Sequence, residues 1–148
     1  MNKKNSFDSI IRNPLGYSLS RDALAASITI PALIPGINFF VPPGSYPLYS
    51  FIVSACVVPD LHYSDTSYQP ASPGQRFNAQ HAYSGWCPAS GAASPLTLET
   101  TIGSPANVPL PADAVVMLAI GIRFGMPGAN GSVEQVKYAG AAKVVAVR

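Results

Sequence analysis

His81, Ser84 and Asp65 supply the residue types of a nucleophilic hydrolase: an imidazole base, a hydroxyl nucleophile and a carboxylate to orient the base. Asp60 and Asp65 make a second pairing, two carboxylates of the kind that divide general acid and general base work. Neither set has the setting its chemistry requires. No G-x-S-x-G elbow follows a strand, and no Gly-rich loop opens a helix. His62 and His81 sit beside tyrosines and read as ordinary hydrogen-bonded side chains. Together with Asp60, Asp65, Cys56 and Cys87 they show no C-x-x-C or H-x-x-x-H spacing, so neither a metal nor a cofactor is expected. The chain is not expected to be an enzyme; a small hydrolase using Ser84 and His81 is the remote alternative.

These residues lie in an unusual segment, residues 60–95. It holds Tyr63, Tyr68, Phe77, Tyr83, the sole Trp (Trp86) and both His, set among Ser, Gly, Pro, Asn and Gln. Rigid aromatics among small polar residues are the make-up of recognition loops. A connection this long without elements of its own is usually functional or disordered. Tyr63, Tyr68, Phe77, Tyr83 and Trp86 are therefore the candidate loop contacts. Two other roles are open to the segment. It could wrap the domain and hide short strands, or its aromatics could stack on a glycan, with Asn78, Gln80 and Asp65 as hydrogen-bonding groups.

The elements that must position the segment are strands. Residues 48–58 alternate, with Tyr49, Phe51, Val53, Ala55 and Val57 on one face. Residues 96–102 do the same through Leu96, Leu98 and Ile102. Residues 114–126 form the longest pattern, Val116, Leu118, Ile120, Ile122, Phe124 and Met126, opposite the small Ala119, Gly121 and Gly125. Those small residues admit close approach of another backbone or a neighbouring subunit. Residues 27–34, interrupted by Pro31, and residues 37–41 read as further strands, as do 133–138 and 142–147. Residues 105–113 read as a Pro-punctuated connection. Asn130-Gly131 marks a hairpin loop. About seven or eight strands and almost no helix predict an all-β fold, a β-sandwich or jelly-roll-like barrel.

Residues 1–27 read as an extended, partly helical arm, leaving residues 28–148 as a single domain. Phe7, Ile10 and Ile11 have the spacing of a short amphipathic helix with Ser6 as its cap, and Ser20 could cap a second turn through residues 21–26. The apolar triplet is the expected anchor of the arm on a neighbour.

Charge is scarce and sits at the ends of the chain. Only Asp60, Asp65, Arg76 and Glu99 lie between Leu24 and Ala112, and charged residues make up 11% of the whole, against about a quarter in ordinary soluble domains. The net charge of +2 is too weak for a nucleic-acid surface. No apolar run is long enough to span a bilayer. The N-terminus lacks the apolar stretch of a secretory signal, so synthesis in a cytoplasm without export and two reduced thiols are expected. A neutral surface bearing Tyr and Pro is what protein meets protein with, because interface cores are depleted in Lys, Glu and Asp.

In size and composition the chain resembles small β-sandwich capsid decoration (cement) or vertex proteins of bacteriophages. The resemblance is of general make-up and rests on no motif. It implies a virion structural protein, assembled in the host cytoplasm, that sits on a shell as a trimer or pentamer and contacts a major capsid or other virion protein. A carbohydrate- or receptor-binding module, as in a fibre or tail tip, is the alternative.

Overall fold

The protein is all-β, built from curled antiparallel sheets. The computed structural model describes residues 5–70, 77–104 and 108–148. Residues 71–76 of the 60–95 segment and 105–107 of the Pro-punctuated connection fall outside them.

One helical turn, α1 (Phe7–Ile10), opens the described chain. Ser6 caps it, its Oγ accepting the Ser9 N–H at 3.2 Å. So short a helix does not hold in water by itself. It holds here because Phe7, Ile10 and Ile11 are each 2% exposed or less, sunk into the core of their own chain. The second expected helical turn does not form. Residues 21–24 make a tight turn, with Leu24 in the left-handed region (φ 49°), between β1 (Gly16–Ser20) and β2 (Ala25–Ile30). The alternation of Ala26, Ile28 and Ile30 draws the chain into a strand, because only then do all three enter the core. Leu19 and Ala26 share one core cluster with Phe7, so these first residues pack into the body of the molecule. Arg21 secures the turn by donating to the carbonyls of Pro111, Ala112 and Ala114.

β8 (Leu96–Thr101) pairs with β2 to complete a three-stranded sheet in the order β1-β2-β8. The larger sheet is organised by β9 (Val115–Pro127). One edge of β9 runs in register along all of β3 (Leu48–Val58). Its other edge pairs with β10 (Val133–Gln135) and then with β11 (Ala141–Val147). The β9–β10 connection is the expected Asn-Gly loop, with Asn130 at φ 58° and Gly131 at φ 75°. Beyond β3 lie two short strands, β6 (Gln80–Tyr83) and β7 (Cys87–Pro88). A separate hairpin of β4 (Leu61–Ser64) and β5 (Ser67–Pro70) follows β3. The 60–95 segment thus hides short strands.

Residues 37–41 do not form a strand. Residues 36–38 turn, held by Asn38, whose side chain accepts the Ile34 N–H at 2.7 Å and donates to the Ala32 carbonyl at 2.9 Å. Residues of both sheets share one core: Ile28, Ile30 and Leu98 from the smaller, Phe51, Val53, Val116, Leu118, Ile120, Ile122 and Phe124 from the larger. Met126, expected on the same face of β9, lies past the core and is 44% exposed.

Candidate interaction surface

Residues opposite one another across a sheet share a face, so the register assigns the outer surfaces. On the three-stranded sheet the outer side is hydroxylated. Ser18 and Ser27 are opposite, their hydroxyls 2.7 Å apart, and Thr29 and Thr97 are bonded at 3.0 Å. Glu99 and Thr101 continue this polar row. It is the ordinary outward face of an antiparallel sheet.

The larger sheet breaks that rule. Its outer side presents Ile52, Cys56 and Val58 from β3, Val115, Met117 and Ala119 from β9, and Ala142, Val144 and Val147 from β11, with Ser54 and His81 the polar residues among them and Ser50 buried beside Arg123. Val58, Val115, Val144 and Val147 are all exposed. Among the described residues, Arg123 is the one charged side chain that these strands place on this side. Burial pushes the Cys56 thiol up from its ordinary pKa, as expected of a group set in an apolar surface.

Arg123 is built into a cage at one end of the face. Its Cζ lies 4.7 Å from the centre of the Trp86 ring and 5.1 Å from that of Tyr83. Nη1 reaches Gln135 Oε1 and Nη2 reaches Ser50 Oγ, both at 3.5 Å. Nε is buried with no acceptor among the described residues. Behind the guanidinium, Ser84 Oγ accepts the Phe51 N–H at 2.7 Å and donates to the Gly85 carbonyl at 3.0 Å. The Ser84 hydroxyl is thus engaged with backbone. Its neighbour His81 lies on the outer face opposite Ser54, its ring 6.5 Å from that of Tyr83. Asp65 sits in the β4–β5 turn at φ 55°.

A groove of about 810 Å³ runs beside Arg123, where β10 has ended and β11 begins; Asn5, Asp8, Ile52, Tyr83, Gln135, Lys137 and Lys143 are among its walls. Asp8 and Lys143 form an ion pair across it. Among the described residues, no group of three or more His, Cys, Asp or Glu could hold a metal ion, and no helix is long and apolar enough to cross a membrane.

The structure divides the residues singled out from the sequence into three places. Phe7, Ile10 and Ile11 are in the core. Tyr63 and Tyr68 face each other edge-on across the exposed β4–β5 hairpin, with ring centres 5.3 Å apart. Tyr83 and Trp86 flank Arg123, while Phe77 is half-buried against the core. Arg123, Gln135 and Lys137 were not singled out. The available signal was the lone cation on the small-residue side of the longest apolar strand. No family model, curated protein or solved structure matches this chain.

Proposed function

We propose that this protein is a virion structural component, a capsid decoration (cement) or vertex protein of bacteriophage type, and that its two sheets form a β-sandwich. The observation that carries the reading is the contrast between the two outer sheet faces. One is clothed in hydroxyls; the other is mostly valines, Met117 and Ile52, with Ser54, His81 and one cation among them. Water gains nothing from the second face, and covering it recovers about 25 cal/mol per Å² of apolar surface. A stable contact needs about 1,200–2,000 Å² counted over both partners, so a subunit neighbour fits better than a small ligand. The partners on this reading are further copies, as a trimer or pentamer, and a major capsid protein.

Sedimentation velocity over a wide concentration range is the test. The wild type should form a discrete oligomer, and Val144→Lys, at an exposed position on the apolar face, should dissociate it. A wild type that stays monomeric at every reachable concentration would sink self-assembly through this face.

The Tyr63–Tyr68 pair favours a second reading, carbohydrate or receptor binding at the β4–β5 hairpin. On that reading Tyr68→Ala abolishes binding on a glycan array and leaves the oligomer intact. Unchanged or absent glycan binding counts against it.

A further inference from the structure

The groove beside Arg123 is charged differently from the rest of the apolar face. Of its charged walls, Lys143 is paired with Asp8, whereas Arg123 and Lys137 face no carboxylate among the described residues. Arg123 is also short of hydrogen bonds. A guanidinium offers five N–H donors; here two contacts stand at 3.5 Å, the outer limit of a bond, and Nε has none. The buried Nε is out of a ligand's reach, but Nη1, in an exposed and barely bonded contact with Gln135, is not.

We propose that this groove receives an acidic segment of a partner protein, with one carboxylate closing on the Arg123 guanidinium. The inference rests on the assembly reading and supplies the chemistry of its partner. The planar fork of an arginine matches the two oxygens of a carboxylate. The Tyr83 and Trp86 rings lie against its flanks, and apolar flanks strengthen a charge pair that forms there. Arginine set among aromatics is the usual composition of an interface anchor. Lys137 gives the segment a second cation at the same groove. Nucleic acid fits less well, because affinity for a phosphate backbone grows with the number of cations along its path, and this groove has two to offer.

The probes are three short fluorescent ligands added to the full chain: a peptide of alternating Val and Glu, its Val and Gln counterpart, and an oligothymidylate. Anisotropy should show the acidic peptide binding at least about tenfold more tightly than either of the others. Arg123→Gln should remove that margin, and Arg123→Lys should not restore it, because a point charge lacks the fork. In the unmutated protein the acidic peptide should shift the NMR resonance of the Arg123 Nε–H, a readout that needs no variant to fold. Equal binding of the Gln peptide, preference for the oligonucleotide, or an unmoved Arg123 resonance each overturns the proposal. Val144 lies outside the groove, so Val144→Lys separates the two readings. If it dissociates the oligomer while the acidic peptide fails to bind the wild type, only the groove proposal falls. If the peptide binds and the wild type never assembles, only the assembly reading falls.

Discussion

The indole of Trp86 rests on the bare backbone of Gly125. A Cβ added at 125 would lie 2.8 Å from Trp86 Cζ3 and 2.5 Å from Val133 Cγ1. The glycine is therefore what lets the aromatic wall of the Arg123 cage lie flat against β9. Gly125→Ala should cost about 1–3 kcal/mol through overpacking, since Val133 and the ring must both move. Urea unfolding followed by the fluorescence of the sole Trp reports both effects at once: an earlier midpoint and a shifted native spectrum. An unchanged spectrum would show that the ring does not lie there.

Phe7 is 2% exposed and carries α1 into the core. Phe7→Ala should lose about 3–5 kcal/mol, the range for emptying an aromatic site. Deletion of residues 2–20 removes Phe7, Ile10, Ile11 and Leu19 from the core and all of β1 from the smaller sheet. The truncated protein should fail to fold cooperatively by circular dichroism. A cooperative melt close to that of the full chain would mean that the segment only lies upon the domain.

Alkali should destabilise the protein through Tyr49. Burial, with Cys87 beside it as a smaller cause, pushes this phenol from its ordinary 10.0 up to about 12. The neutral form is thus favoured in the fold, while the unfolded chain ionises earlier. The stability this provides is complete below pH about 10 and is lost as pH rises towards about 12. Tyr49→Phe should flatten that fall when urea midpoints are compared across this range. Parallel alkaline profiles for the two proteins would assign the loss to other groups.

Cys56 offers a footprint of the apolar face. Its thiol is partly buried and its pKa is raised by burial, so alkylation near neutral pH should be slower than in the unfolded chain. Assembly through the outer side of β3 should slow it further. Peptide mass spectrometry on dilute and concentrated samples would measure this. Equal modification of Cys56 in both states would place the contact elsewhere.

The strands that could be read from the sequence are those with one buried face. In β3 and β9 alternate residues are nearly all apolar and become the core, so both outlines followed from period alone. β10 ends at Gln135 rather than 138, and residues 36–38 turn, because local bonds that alternation does not register decide both: the hairpin pairing of Val133 with Pro127, and Asn38 on the backbone of Ala32 and Ile34. The helical spacing of Phe7, Ile10 and Ile11 was legible, yet its destination was not. An apolar triplet looks the same whether it docks on its own chain or on a neighbour. The Arg123 cage was beyond reach for a related reason. Its walls come from β3, β6, β9, β10 and the stretch around Trp86, and only the register brings them together.

One feature of the topology bears on how the molecule is made. β3 finds its long partner only in β9, and β10 and β11 also depend on that strand. A ribosome delivers β3 well before β9, so a nascent chain holds one whole edge of β3 unpaired until residues 115–127 have followed. The larger sheet can close only once β9 has emerged, and pairing at such separation is slow. That interval invites sticking between nascent chains, and co-expression of a holding chaperone should raise the soluble yield of this protein.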